Sequence, residues 1–176
     1  MADTEALRSW VETITGFTAI WLNQNTPRPA RPYATLHIMN QRQVGQPYTG
    51  PITALGVATI QAQYEITVSI QIYGSSTAAD PRTAINAAYA LRQSLDRPSV
   101  RESLGIAGWA FRAEEQIADV PEMMDSTWEP RAFFDAVFGM TVEQTDNLGY
   151  VKTVEVTGTM GNGAGSSVTE TVTLEN

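Results

Sequence analysis

The sequence predicts an α+β fold: long strands packed by two or three helices, closed by a C-terminal β-hairpin arm. Three observations predict it. Thr59 to Tyr73 alternates apolar and polar residues without a break, the period-2 pattern of a strand with two different faces. Trp128 to Glu143 repeats that alternation. Two other segments switch to helical spacing: Leu7, Trp10, Val11 and Ile14, then Ile85, Ala88, Leu91 and Leu95.

The elements follow in order. Asp3 to Thr15 reads as a helix, with Asp3 or Thr4 as cap and Gly16 ending it in a left-handed turn. Phe17 to Asn23 reads as a strand with apolar residues on both faces, hence one covered on both sides. Pro27, Pro29 and Pro32 exclude a helix and favour an extended segment. Tyr33 to Arg42 resumes as a strand, and Val44 to Leu55, rich in Gly, Pro and Thr, reads as a loop. At about 3.3 Å per residue Thr59–Tyr73 spans roughly 45–50 Å, so it either bends sharply or projects. Gly74 to Ala79 reads as a turn. Asp80-Pro81 opens a helix, Asp80 as cap and Pro81 at the first helical position, broken by Asp96-Arg97-Pro98. A short helix over Ser99–Leu104 ends at Gly105. Trp109 to Val120 reads as one strand and Pro121 to Ser126 as a loop. The apolar face of the following strand is Trp128, Ala132, Phe134, Ala136, Phe138, Met140 and Val142. Tyr150–Gly158 and Ser167–Leu174 are Thr/Val-rich and read as a hairpin, joined by the glycine-rich Met160–Ser167. The chain thus divides into a body, residues 1–148, and an arm, residues 149–176. A two-stranded hairpin is marginal alone, so the arm is expected to dock on the body, a sister copy or a partner.

Composition narrows the function. Eleven Lys and Arg against 19 Asp and Glu give a formal charge of −8, which disfavours tight duplex binding. Zero Cys excludes disulfides, thiolate metal sites and a thiol nucleophile, and the single His, His37, excludes His pairs. No apolar run approaches the ~20 residues of a membrane span, and the acidic start lacks a signal-peptide pattern. The expectation is a soluble protein with no catalytic, cofactor or metal site. Glu114 and Glu115, adjacent on a strand, face opposite ways and cannot flank one atom. No Gly-x-Ser-x-Gly elbow accompanies His37. Gly161-Asn162-Gly163-Ala164-Gly165 has no following Lys-Ser/Thr and reads as a hairpin loop rather than a phosphate cradle. Asp119, Glu122 and Asp125 match no EF-hand spacing.

The unusual feature is the polar face of Thr59–Tyr73. A solvated strand face normally carries Lys, Glu and Arg. This one carries Gln61, Gln63, Thr67, Ser69 and Gln71 around a single Glu65. Uncharged amides and hydroxyls are buried in an interface at lower cost than charges, and they line a channel without gripping a polyanion. These six residues are candidate subunit-interface or lumen positions. Arg28, Arg31, Arg131 and Asp135 join them; Arg28, Arg31 and Arg42, a thin basic group near the prolines and Tyr33, read as donors of ion pairs between subunits, with contact to phosphate as their competing reading. A plain solvated sheet face is the alternative.

Several segments together resemble the tail terminator (neck, tail-completion) proteins of tailed bacteriophages. They are the opening helix, Asn23-Gln24-Asn25-Thr26-Pro27-Arg28-Pro29-x-x-Pro32-Tyr33, Tyr64-Glu65-Ile66-Thr67-Val68-Ser69-Ile70-Gln71-Ile72-Tyr73-Gly74, the Asp80–Leu95 helix and Trp128-Glu129-Pro130-Arg131-Ala132-Phe133-Phe134-Asp135. The resemblance covers roughly residues 1–145. It implies that the sheet is mixed and mainly antiparallel. It further implies a homo-oligomeric, hexameric ring that caps the tail tube and presents a face to the head connector, with DNA in transit through the lumen. The implied partners are sister copies, a tail tube protein and a head connector or neck protein, with no membrane. The implied location is the virion, and the host cytoplasm during assembly. A tail tube or head-completion protein of the same virion, or a hydrolase built on acidic residues, are the competing readings.

Overall fold

The computed structural model describes residues 2–25, 27–75, 80, 82–124, 126–149, 153–159 and 167–173. Helix α1, Thr4–Thr15, starts where Asp3 accepts from the Glu5 amide and stops at Gly16, whose φ of 71° suits a residue without Cβ. Strand β1 is Thr18–Trp21, shorter than the sequence suggests. Only Ala19 is fully buried there, and Thr18 is exposed, so the strand is not covered on both sides. Strand β2 runs Tyr33–Thr49 and β3 runs Val57–Tyr73, 17 residues each. The predicted loop from Val44 is therefore strand as far as Thr49. Gly45 absorbs the irregularity at φ 71°, and Pro47 is tolerated because β1 leaves the outer edge of β2 unpaired beyond Leu36.

Helix α2 is Thr83–Ser94 and α3 is Pro98–Ile106. Asp80 does not cap α2 directly. It sits two residues before the cap position, Arg82, accepting from the Arg82 amide and from Asn86 Nδ2, both at 2.9 Å. Pro81 and most of the predicted Gly74–Ala79 turn lie outside the described residues. Gly105 does not end α3, which runs on one residue and terminates at Ala107, followed by Gly108 at φ 90°. The single strand predicted over 109–120 is two, β4 Ala110–Glu114 and β5 Ala118–Asp119. The predicted loop after it holds β6, Glu122–Met124, paired with β7, Thr127–Glu129. Pro130, which has no N–H to donate, separates β7 from β8, Arg131–Asn147. Trp128 consequently lies on β7, 60% exposed, and not on the apolar face of the long strand.

The main sheet has the order β1-β2-β3-β8-β4, with β5 also on β8. β1 is parallel to β2, while β4 and β5 are antiparallel to β8. Tyr33 meets Tyr73 at one end of β2 and β3, and Gly50 bonds Thr59 at the other, so these strands run antiparallel. Gly74–Pro130 and Gln61–Glu143 fix β3 and β8 in the same way. The sheet is thus mixed and mainly antiparallel, as the resemblance implied.

Two compact units divide the chain: Met1–Gln46 with Ala62–Val142, and Pro47–Gln61 with Glu143–Asn176. In the first, all three helices contribute to one core. Leu7, Trp10 and Val11 of α1, Ala84, Ile85, Ala88 and Leu91 of α2, and Leu104 of α3 join Ile66, Val68, Ile70 and Ile72 of β3 and Ala132, Phe134, Ala136 and Phe138 of β8. Phe138 is the hub, meeting Trp10, Trp109 and Phe111 edge-on at centroid distances of 6.5, 5.8 and 6.0 Å. The buried indoles keep their N–H groups paired, Trp10 to Ser94 Oγ at 2.9 Å and Trp109 to the Asp3 carbonyl at 2.7 Å. In the second unit, a turn over residues 50–56 is closed by Thr53–Val57 and Gly56–Thr53 bonds, and the Gly56 carbonyl accepts from Leu148. β9, Thr153–Thr159, pairs antiparallel with β10, Ser167–Thr173, as a separate two-stranded sheet. The Met160–Ser166 loop lies outside the described residues.

Candidate interaction face

Alternation sends the even residues of β3 and β8 into the helical core and the odd ones to the opposite face. That second face carries every β3 residue singled out from the sequence. At one end, Tyr33 of β2 and Tyr73 of β3 stack with centroids 4.6 Å apart and planes 12° from parallel. Three guanidiniums converge on the Tyr73 ring: Arg28 at 5.2 Å, Arg31 at 5.9 Å and Arg131 at 5.1 Å. The proline-rich segment positions the first two. It brings Arg28 over Tyr33 as well, at 5.3 Å, where the guanidinium Nε donates to the Tyr33 hydroxyl.

Carboxylates hold two of these three cations. Glu129 of β7 forms an ion pair with Arg31, each side chain about four-fifths buried. Glu122 of β6 pairs with Arg131 at 3.2 Å. Arg131 also donates to Gln71 Oε1 at 2.7 Å, and the Tyr73 hydroxyl donates to the same oxygen at 3.0 Å. Burial pushes the Tyr33 hydroxyl above its ordinary range, with the Arg28 hydrogen bond pulling the other way. The same hydrogen bond raises Arg28, burial opposing it. Arg28, Arg31, Arg131 and Gln71 are therefore one cluster. Asp135 lies further along β8 on the same face, its Oδ1 buried without a hydrogen-bond partner.

Away from the cluster the face opens. Ser69 is buried within the chain at 4% exposure, Thr67 and Glu65 are half-buried, and Gln63 is exposed. Glu65 accepts from Arg42 of β2, with Nε at 2.9 Å. Gln63 borders a hollow of about 290 Å³ with Arg112, Gly139, Met140 and Thr141. A break in the β4–β8 register at Arg112 re-aims that side chain, and Gly139 makes room for it: a Cβ there would stand 2.7 Å from Arg112 Nε. Gln61, in the second unit, donates to Glu143 Oε1 at 2.7 Å.

The remaining chemical candidates are dispersed. Glu114 accepts from Arg92 at 2.8 Å while Glu115 is exposed. His37 borders a hollow beside Trp21, Leu22 and Asn23. Asp125 and the glycine-rich 161–165 loop lie outside the described residues. Among the described residues no three His, Asp or Glu side chains come together as a metal set, and no helix is long and apolar enough to cross a membrane.

Sequence reasoning missed the Tyr33–Tyr73 stack and the pairing of Glu122 and Glu129, on the β6–β7 hairpin, with Arg131 and Arg31. The stack was within reach, because Tyr73 shares the parity of Gln71. The glutamate pairings were not, because 121–126 reads as a loop and Glu129 as part of the long strand, so nothing local signals the β6–β7 pairing that brings them together. A search of curated proteins returns no significant match. The phage neck terminator protein family matches residues 4–163, which takes in all three helices, the whole main sheet and β9, beyond the 1–145 carried by the motifs. The chain belongs to the phage neck terminator protein family, a structural protein of the virion that acts with other head and tail proteins.

Proposed function

We propose that the protein forms a homo-oligomeric ring, hexameric in the simplest case, that caps the tail tube and joins it to the head connector, with DNA passing through the lumen. It assembles in the host cytoplasm and performs no catalysis. The observation that carries this reading is the chemistry of the helix-free face. Its uncovered part presents mainly uncharged groups, Gln63, Thr67 and Thr141, beside the exposed guanidinium of Arg112, and Glu65 is engaged by Arg42. Arg31 and Arg131 are likewise taken up by Glu129 and Glu122. A cation already bound to a carboxylate releases no counterions from a phosphate chain, so such a wall lets duplex slide past. Gln61, Gln63, Glu65, Thr67, Gln71, Arg28, Arg31, Arg131 and Asp135 belong to the side of β3 and its neighbours that meets sister copies or the lumen, whereas Ser69 is already covered within the chain and makes no such contact. Arg28 is the cluster's outward cation: its partner, the Tyr33 hydroxyl, is neutral, and a neighbouring copy's carboxylate completes it.

The test is electron microscopy of the purified chain, alone and with tail tubes, together with duplex titration. Closed rings, one per tube end, and duplex binding no tighter than about 10⁻⁴ M at physiological salt are expected. Many stacked rings identify a tube protein instead. Salt-resistant duplex binding refutes the lumen assignment.

A further inference from the structure

β2 carries an edge that the chain leaves open. β1 covers it only from Tyr33 to Leu36, and the Leu22 amide makes the last bond, to the Leu36 carbonyl at 2.9 Å. Leu36 therefore turns its backbone groups away from β3. By the two-residue period, Ile38, Asn40 and Arg42 do the same. No described strand accepts those groups. Every residue from Ile38 to Thr49 is exposed, Met39 by 57% and Tyr48 by 63%.

Long open edges are normally blunted by lysine, proline, a bulge or brevity. Gly45, at φ 71°, and Pro47 blunt the far end of this one. Between Ile38 and Val44 there is no Lys, Pro or Gly, and the sole charge, Arg42, is held by Glu65. That clean stretch is seven residues long, and β9 and β10 are seven residues each. Among the described residues β9 and β10 pair only with each other, so each has one vacant edge. β10 contains no Gly, Pro or Lys, whereas β9 contains Gly158. Among the described residues the chain thus holds two unblunted, unpaired edges of equal length.

We propose that β10 of a second copy adds to β2 along Ile38–Val44, so that each copy's C-terminal hairpin extends its neighbour's main sheet. The proposal rests on the ring reading, which places copies side by side. It commits to a sister strand because both halves of the pairing are present in every copy, and a repeated head-to-tail contact of this kind closes a ring.

The absence of cysteine supplies the test. Full-length chains with Asn40→Cys are mixed with full-length chains carrying Thr171→Cys, then treated with a short bis-maleimide. A covalent heterodimer on a denaturing gel is expected. Asn40→Pro, which removes an outward donor and spares the ladder to β3, is expected to weaken self-association about tenfold with thermal unfolding unchanged. Rings that form normally without cross-linking, or in Asn40→Pro, overturn the proposal and leave the ring reading intact. A chain carrying both cysteines that links only internally at high dilution assigns the edge to its own hairpin, and also overturns it. Failure of the unsubstituted chain to form rings on tail tubes overturns both.

Discussion

Tyr73→Leu isolates what the aromatic ring contributes to the cluster, because leucine retains much of the apolar volume and none of the π surface. Four contacts are lost: the stack on Tyr33 at 4.6 Å and the faces offered to Arg28, Arg31 and Arg131 at 5.2, 5.9 and 5.1 Å. The stack contributes about 1 kcal/mol. Each guanidinium contributes about 0.5–1 kcal/mol at this partly exposed site. Shared partners make the terms less than additive, so a loss of about 2–3 kcal/mol is expected. Gln71 keeps its Arg131 bond, and no buried acceptor is orphaned by loss of the hydroxyl. Urea unfolding gives the value, read as a lower midpoint at constant slope. Phe138→Leu is the comparison, a core ring that meets three aromatics and no cation. If Tyr73→Leu costs less than about 0.5 kcal/mol, the three arginines do not lean on the ring and the cluster is not a built surface. Assembly is expected to fall further than stability does, because Arg28 loses one of the two rings that hold it flat.

Gly56→Ala forces a Cβ to within 2.7 Å of the Gly149 carbonyl carbon at φ 75°, costing more than about 2 kcal/mol. Hydrogen exchange should show the loosening in residues 47–61 and 143–149. Tyr33 has its folded value raised by burial, so its contribution to stability is complete below the ordinary tyrosine range. It is lost as pH rises past about 10, where the unfolded chain ionises first. Tyr33→Phe should flatten that alkaline decline in urea midpoints. Deletion of residues 151–176 is expected to leave the body folded, with its near-ultraviolet dichroism retained, and to weaken assembly. Global unfolding would place the arm in the core.

The long strands were legible because their alternation is a local property that tertiary context only reinforces. Thr59–Tyr73 was two residues short, and its odd face was read correctly as polar. The helices were legible for the same reason, and Asp3 and Gly16 cap α1 as local geometry demands. The errors fall where a neighbour decides. Val44–Thr49 reads as loop by composition, yet pairing with β3 extends it as strand. Asp80 was assigned the cap of α2, but the helix begins two residues beyond Pro81, and Asp80 instead ties Arg82 and Asn86. Trp128 fits the parity of β8, and only the break at Pro130 reveals that it belongs to another strand. Arg28 and Arg31 stand out in the sequence with Arg42 as charges near prolines and Tyr33, yet Arg42 pairs with Glu65 and it is Arg131 that completes the cluster. The convergence of Arg28, Arg31 and Arg131 on one ring depends on β2, β3 and β8 lying side by side, which no local pattern encodes.

The central claim is that the face around Gln63 and Glu65 meets sister copies or a pore. Gln63→Cys, introduced into this cysteine-free chain, reports on it directly through maleimide labelling before and after assembly onto tail tubes. The free chain should react with both a small maleimide and a bulky polymer-linked one. In the assembled particle the bulky reagent should be excluded, and the small one as well if the position lies between copies. Equal labelling by both reagents before and after assembly would contradict the claim.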